Sequence, residues 1–573
     1  MLTKSKAVYL VVYAMLLCFF FTPALLAKEA FTETPQQKEK RMQWWQDARF
    51  GLFVHWGPSS VCAEEISWSR IGPRAFAGNG GTVPMEEYDN LYKKFNPVKF
   101  NADQWVQIIK DAGMKYIVFT TKHHDGFCNF DSKLTDYKIT SPLSPYGKDI
   151  VKQLADACHK AGIKLGFYYS PPDWHHPDCG RENHSRYIEY LHGQIRELCT
   201  NYGKVDILWF DGLSGKEEDW NSKELFKMIH ELQPEIIIND RAGFDGDFLT
   251  PEQEVGVFNN QKPWESCMTI GTGWSYKTDD KIKSAEKCMN ILIKTVGGDG
   301  NLLLNVGPGP DGLIVPEQVE VLKKLGDWLQ KYGESVYGTR GGPYEPGNYG
   351  ASTYKDNTIY LHILDWNFLP EYLPPLDKKI TGAKVLTGGG VTITQNEKGL
   401  KVNVSPQDRN KLDTVIELTI DGTVSQIPPI LVPSCSLLAF KGAKASNHDK
   451  NAPEYAPDKC IDDDYATRWQ TDADTKEAWI EFDLGSDTKF NLLRINETGP
   501  GWGSRAKKFE LKYKKADSSV WQTIITGDRI GTDYEKSFDS VTGRFVRLEI
   551  FDKADFPPAM NEFQLFYNER DKK

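Results

Sequence analysis

Nothing in these 573 residues forms a basic block, and the formal net charge is −10. A nucleic-acid partner needs clustered lysine and arginine to displace counterions, so that class is set aside. Cysteine is sparse: there are ten, with no C-x-x-C pair, which excludes a zinc cluster of the usual spacing. Nine of them, from Cys62 to Cys460, lie beyond the N-terminal segment; an odd number gives no complete disulfide framework, and most are expected to be small buried hydrophobes. No stretch beyond Leu26 approaches the ~20 apolar residues of a membrane span. Internal repeats and low-complexity linkers are absent. The glycines of "NLLLNVGPGPDG" fit neither phosphate-loop pattern, so this segment reads as a strand leaving through a rigid turn.

What is present is ordinary in bulk, with 40% hydrophobic and 26% charged residues. A chain of this length exceeds one core, and two to four domains are expected. Aromatic residues run high, with 16 Trp and 25 Tyr, which suits large cores and also the stacking of sugar faces on flat rings. At the start, Lys4 and Lys6 precede an apolar stretch from Ala7 to Leu26, and Ala27 offers a small residue for cleavage. This pattern predicts an export signal over residues 1–27 and a mature protein that is periplasmic or extracellular, without a membrane span. Cys18 follows Leu17 rather than a small residue, which weakens a lipoprotein reading.

Between about 40 and 340, short β-type runs alternate with amphipathic helical segments such as "NADQWVQIIKDAG" and "KDIVKQLADACHKAG". The pattern predicts an α/β unit with a parallel sheet, either a (β/α)8-like barrel or a doubly wound open sheet. The strand candidates favour the barrel. Each is apolar first and chemically loaded at its C-terminal end: His55 and Trp56, His123 and His124, Tyr168 and Tyr169, Asp211, then Asp240 and Arg241. In a barrel those ends converge on one face. From 341 to 440 alternating segments such as "NTIYLHILDW" and "DTVIELTI" predict an antiparallel β-sandwich, and 441–570 predicts a second all-β module with long loops.

The pieces "RFGLFVHWG", "TKHHDGF", "GFYYSPPDW", "LWFDG", "INDR", "TPE", "PWESCMT" and "NLLLNVGPGPDGLIVP" occur in an order that resembles glycoside hydrolase family 29, the retaining α-L-fucosidases, over about 300 residues. The segment "CIDDDYATRWQTD…WIEFDLG" is similar to the factor V/VIII type C, or discoidin-like, fold, often a carbohydrate-binding module.

Read alone, Asp211 before Gly212 is a turn signal, since both residues favour tight turns. The resemblance instead implies that Asp211 is the nucleophile. Such enzymes pair a nucleophilic carboxylate with a second group that protonates the leaving oxygen. Glu252 aligns with the acid/base glutamate of characterised members, while Glu265 is implicated at the corresponding position in others and Glu254 lies between them. The resemblance further implies sugar contacts from His55, Trp68, His123, His124, Tyr168, Tyr169, Trp209 and Arg241, and no catalytic metal or cofactor. One departure stands out: the family often has Glu directly before the first-loop Trp, whereas Ser67 precedes Trp68 here, with Glu64 or Glu65 available from a shifted loop. On a strand, His123 and His124 would point to opposite faces and not share one ion.

The acids of "CIDDDYATRW" lack EF-hand spacing. Modules of this type often hold a structural calcium, and Asp462, Asp464, Thr467 and Glu562 are the candidates. Trp502 in "GPGWGSR" is a candidate for stacking on a sugar. The expected partner is a fucosylated oligosaccharide or glycoconjugate. A different exported glycosidase and an inactive glycan-binding protein are the rival readings, because a fold does not fix a substrate.

Overall fold

The computed structural model describes residues 33–568, apart from 72–80, 213–214, 440, 466, 500–504, 532–533 and 554–555. The export-signal segment 1–27 and Trp502 lie outside the described residues.

Seven parallel strands form the first sheet: β1 (Phe50–Val54), β2 (Tyr116–Lys122), β3 (Lys164–Tyr169), β4 (Ile207–Phe210), β5 (Ile237–Ile238), β6 (Glu265–Thr269) and β7 (Asn301–Val306). The order β5-β4-β3-β2-β1-β7-β6 leaves β5 and β6 at the two edges. The segment 248–252 joins those edges. Phe248 bridges Asn239 beyond β5, while Leu249 bridges Trp264 and Glu252 bridges Cys267 on the β6 side, all in parallel sense. Pro251 has no N–H to give, so this eighth position is a set of single bridges rather than a regular strand. The parallel sheet thereby curls into a (β/α)8-like barrel.

Helix α1 (Pro35–Ala48) precedes β1. Then come α2 (Ala102–Asp111) after β1, α3 (Ile150–Ala161) after β2, α4 (His184–Asn201) after β3, α5 (Ser222–Leu232) after β4, α6 (Ala285–Gly297) after β6 and α7 (Pro316–Tyr332) after β7. Asn101, Asp149 and Ser284 cap α2, α3 and α6 through side-chain oxygens that accept an N–H of the first turn. Among the described residues no helix lies between β5 and β6. Two apolar layers result from the two-residue period of the strands. Inward side chains, among them Phe53, Val118, Tyr168, Ile207, Trp209, Cys267 and Leu303, fill the lumen with Trp45 of α1, while the outward set packs under the helices. Gly51 makes room in this lumen, because a Cβ there would fall 2.3 Å from the ring of Tyr116.

The antiparallel region comprises β8 (Arg340–Gly341), β9 (Gly350–Lys355), β10 (Thr358–Ile363), β11 (Ile380–Val385), the hairpin β12 (Val391–Asn396) and β13 (Gly399–Val404), and β14 (Thr414–Ile420). Its main sheet runs β11-β14-β10-β9-β8 around a separate core that includes Ile359, Leu361, Leu400 and Ile416. Beyond it, a third sheet is built on long strands at Ala478–Glu497, Tyr534–Lys553 and Ala559–Phe566, over a core containing Trp469, Phe482 and Phe563. Asn348 joins the two β regions by donating to Gln564 at 2.8 Å. No helix among the described residues is long and apolar enough to cross a membrane. All nine cysteines from Cys62 to Cys460 are free thiols.

Candidate active site

Ile207 to Phe210 are buried throughout, and Asp211 is the first residue past the end of β4. Its N–H donates to the Tyr169 carbonyl at 3.2 Å, which prolongs the β3–β4 ladder by one residue and fixes the carboxylate at the C-terminal mouth of the barrel. Gly212 follows because the chain passes against Arg241 there: a Cβ would lie 2.2 Å from the Arg241 carbonyl. Asp211 Oδ2 accepts the Tyr168 hydroxyl at 2.8 Å and sits 3.5 Å from His124 Nε2. Burial alone would raise its pKa, but His124, the Arg241 guanidinium and the Tyr168 hydroxyl together hold it below the usual carboxylate range.

Arg241 ties Asp211 to a second carboxylate. Its Nη1 lies 3.3 Å from Asp211 Oδ1 and donates to Glu252 Oε2 at 3.1 Å. The guanidinium is itself fixed, with Nε on Thr250 Oγ1 at 2.9 Å, Nη2 on the Thr250 carbonyl at 2.7 Å, and Cζ 4.8 Å from the centroid of the Trp209 ring. The facing oxygens of Asp211 and Glu252 are therefore at most about 6.4 Å apart, the sum of their two contacts with one nitrogen.

Three buried imidazoles surround Asp211. His55 Nδ1 is 2.8 Å from Asn305 Oδ1, and Asn305 gives its amide hydrogen to the Trp274 carbonyl. An amide oxygen only accepts, so His55 carries its proton on Nδ1 and offers Nε2 as an acceptor. His124 follows the same logic: Nδ1 meets Ser170 Oγ at 2.5 Å, and that hydroxyl donates to the Pro172 carbonyl at 2.6 Å. His123 Nδ1 contacts Ser67 Oγ at 2.6 Å, and its ring stacks on Tyr168. Burial pushes His55 and His124 down to about 4 and His123 well below its ordinary value. The bare Nε2 of neutral His55 and of neutral His124 suits the hydroxyl hydrogens of a sugar, whereas the Ser67 hydroxyl, which already accepts the Asp125 N–H at 2.8 Å, has its hydrogen for His123 Nδ1.

The expectation for His123 and His124 is corrected. Strand β2 ends at Lys122, and the turn closed by the Gly126 N–H on the His123 carbonyl brings the two rings to 4.2 Å. Together with Asp211 they offer ligand atoms within 4.8 Å of one another. A strand would separate them; a turn does not.

Further corrections concern Tyr169 and Glu265. Strand alternation sends Tyr168 into the lumen and Tyr169 outward, where its hydroxyl donates to Gln194 of α4 at 2.8 Å. Glu265 opens β6, in register with the first residue of β7, Asn301, and so lies at the opposite end of the barrel from the strand ends that carry Asp211. Fully buried, it accepts from the Tyr116 hydroxyl, from Trp45 Nε1 at 3.2 Å and from Trp209 Nε1 at 3.1 Å. Burial pushes it up to about 7. It supports the underside of Trp209 and does not reach the pocket. Glu65 is also committed elsewhere, since its carboxylate accepts the N–H groups of Trp274 and Ser275.

Glu65 thereby fixes Trp274, whose ring lies 4.9 Å from His55. On the other side Trp174 packs 4.9 Å from His124 and edge-on to half-buried Trp68. The sequence reading did not single out Trp174, Trp274, Asn305 or Ser170, and Ser67 stood out only as the residue in place of the family's Glu. Trp174 ends the quoted run "GFYYSPPDW", and Asn305 sits in "NLLLNVGP"; a polar residue closing an apolar barrel strand was the available signal.

The alpha-L-fucosidase family model matches residues 19–334, more than half of the chain. The chain belongs to the α-L-fucosidase family. It is 32% identical over 379 residues to the mouse tissue alpha-L-fucosidase, covering 60% of this chain and 82% of that protein. Among solved structures, alpha-L-fucosidase isoenzyme 1 from Paenibacillus thiaminolyticus matches with 38% identity and a TM-score of 0.60, over 67% of this chain and 99% of that one. A GH29 alpha-L-fucosidase from Bacteroides thetaiotaomicron, trapped as a covalent intermediate with 2-fluoro-fucosyl fluoride, matches with 28% identity and a TM-score of 0.59, over 69% and 98%.

This fucosidase-family chain also matches the F5/8 type C domain over residues 442–562. There the hydroxyl of Thr467 has one hydrogen but four oxygens within reach: the Lys459 carbonyl at 3.0 Å, Asp462 Oδ1 and Oδ2 at 2.9 and 3.0 Å, and the Asp464 carbonyl at 3.1 Å. Glu562 is buried with Oε1 unpaired, and burial together with Asp463, Asp462 and Asp464 raises its pKa well above the ordinary value. The charge on Asp462 is met by Lys459, whose Nζ lies 3.1 Å from Oδ2.

Proposed function

We propose that this chain is an exo-acting, retaining α-L-fucosidase that removes terminal fucosyl residues from glycans. The observation that carries the reading is the single guanidinium nitrogen shared by Asp211 and Glu252. It holds the facing oxygens at most about 6.4 Å apart, short of the ~6.5–9.5 Å carboxyl spacing of inverting enzymes and compatible with the ~5–5.5 Å of retaining ones. The neighbour trapped as a covalent intermediate supports the same chemistry.

In this reading Asp211 Oδ2 attacks the anomeric carbon as Glu252 gives its proton to the glycosidic oxygen. The C–O bond to the leaving group breaks, and a fucosyl ester of Asp211 forms. Glu252, now a base, takes a proton from water, whose oxygen displaces Asp211. His55 and His124 accept hydrogen bonds from sugar hydroxyls, His123 donates one, and Arg241 supports Asp211 as it departs. Trp209 closes the floor, which suits a terminal residue rather than a threaded chain. Trp68, Trp174 and Trp274 offer apolar faces for the ring and the 6-methyl group.

Asp462, Asp464, Thr467 and Glu562 would hold a structural calcium that cross-links the loop 459–467 to the last strand and takes no part in the reaction. The terminal module would tether the enzyme to glycans and raise the local substrate concentration. The segment with Lys4, Lys6 and the apolar run 7–26 supports export.

Replacing Asp211 with Gly tests the central claim. Turnover of an aryl α-L-fucoside should fall below detection, and azide should restore it with β-fucosyl azide as product. Unaltered turnover by Asp211→Gly would reject the assignment.

A further inference from the structure

On the outer flank of the barrel, between α6, the start of the antiparallel region and the C-terminal sandwich, lies a cavity of about 450 Å³. It is outside the barrel wall and distinct from the pocket of Asp211. Its charge runs against the rest of the molecule. The chain carries a formal −10, yet four lysines and two arginines line this space against two glutamates. Cations here also serve the structure: Lys283 Nζ donates to the carbonyls of Thr269 and Gly271, and Arg494 pairs with Glu535 at 2.6 Å. That pairing also offsets one of the two acids. Glu562, the other, is the buried carboxyl beneath the loop 459–467.

Lys287 and Lys294 stand two turns apart on one face of α6, Lys281 comes from the loop before it, and Arg529 approaches from the sandwich. The same walls present the rings of Tyr465 and Tyr534 and the amides of Asn290 and Asn496. Rings and amides are the usual partners of sugar faces and hydroxyls, and the volume falls in the ~300–1,000 Å³ range of small-ligand sites. No glycine-rich phosphate cradle borders the cavity, which disfavours a nucleotide.

We propose that this cavity is an ancillary binding site for an anionic glycan, a short oligosaccharide carrying a sulfate or a carboxylate group. The site holds its ligand by charge and stacking and does not cleave it. A fucosidase with such a site would be retained on acidic glycans while its barrel works on neighbouring chains. The binding claim itself stands without the catalytic reading, because it is measured on a ligand that contains no fucose.

The test is calorimetry on the full chain with three probes: chondroitin 4-sulfate disaccharide, its desulfated counterpart and neutral lactose, with inorganic sulfate as a fourth. Expected is binding of the sulfated disaccharide that weakens as salt rises from about 50 to about 200 mM, and little or no binding of lactose. The double variant Lys281→Glu, Arg529→Glu alters one exposed cation on each wall and should weaken binding at least about tenfold. Its unfolding midpoint and its turnover of an aryl fucoside should match the parent chain. Binding of the desulfated probe at similar strength identifies the carboxylate as the recognised group, and its loss identifies the sulfate. Equal binding of lactose, binding unchanged in the double variant, or inorganic sulfate binding as tightly as the disaccharide would each overturn the proposal.

Discussion

Glutamate 265 offers the sharpest separation of a supporting role from a catalytic one. Burial places its carboxyl at about 7, against an ordinary 4.5, although Tyr116, Trp45 and Trp209 all donate to it. Because the folded value is the higher, the folded chain keeps a proton that the unfolded chain releases between those limits. Its stabilising contribution is complete below about 4.5 and is lost as pH rises through 7. At ~1.4 kcal/mol per pH unit the loss amounts to roughly 3 kcal/mol. Glu265→Gln cannot ionise and escapes that loss. Its amide group, however, faces N–H and O–H donors and leaves at least one unpaired, a cost of about 1–3 kcal/mol at every pH. The variant should therefore unfold at a lower temperature than the parent near pH 5, with the gap closing or reversing by pH 8.5. Because the chain has several cores, the quantity to follow is the midpoint of the barrel transition across pH rather than one global free energy. Turnover of an α-L-fucoside, measured alongside, should stay within about tenfold of the parent, whereas loss of a general acid costs ~10²–10⁴. Parallel midpoint curves for the two proteins would refute the ionisation argument. A hundredfold loss of turnover that deepens with poorer leaving groups would refute the supporting role.

Three other outcomes follow from the same geometry. Arg241→Gln should lower kcat/KM by about 10²–10³, the usual cost of one preorganised donor, and should move the acid limb of the pH profile upward, since Arg241 helps to hold Asp211 below the ordinary range; an unmoved limb contradicts the bridge. With His55 and His124 pushed down to about 4, the imidazole resonances of a histidine-labelled sample assigned to these two residues should not titrate between pH 5.5 and 8, and a midpoint near 6.5 for either would count against neutral, hydroxyl-accepting rings. Chelation should lower the unfolding midpoint of the C-terminal module and added calcium should restore it, while Thr467→Ala should abolish the response and leave hydrolysis unchanged; a midpoint indifferent to chelator argues against the cation.

The apolar runs that end in chemistry made the barrel and most of its rim legible in the sequence. Ile207 to Phe210 could only be a buried strand, and His55, Tyr168, Asp211 and Arg241 do gather at one mouth. Depth along the barrel was not legible, because it depends on register between strands distant in sequence. Thus Glu252 and Glu265, thirteen positions apart, both stood as acid/base candidates with Glu252 first, and the register separates them: one bridges Cys267 near the mouth and the other pairs with Asn301 at the far end. Tyr168 and Tyr169 posed the same difficulty at smaller scale: alternation says that only one faces inward, and register decides which. The closing segment "FLTPE" went unrecognised as part of the sheet because Pro251 interrupts its pairing. Where β2 stopped was equally hidden, so a turn at His123 and His124 was read as strand.

The absence of helices between β5 and β6 has a consequence for how this enzyme family can diversify. Asp211, the imidazoles and Tyr168 belong to the continuously helix-backed part of the wall, where a change in chain length would disturb a packed layer. Glu252 belongs to the uncovered part, and its continuation meets the C-terminal module where Gly256 lies against the ring of Tyr465. Loop length can change there without repacking a helix. The side of the mouth around Asp211 is thus held in length by its helices, and the side around Glu252 is free to be redrawn, by this chain's own appended module among other things.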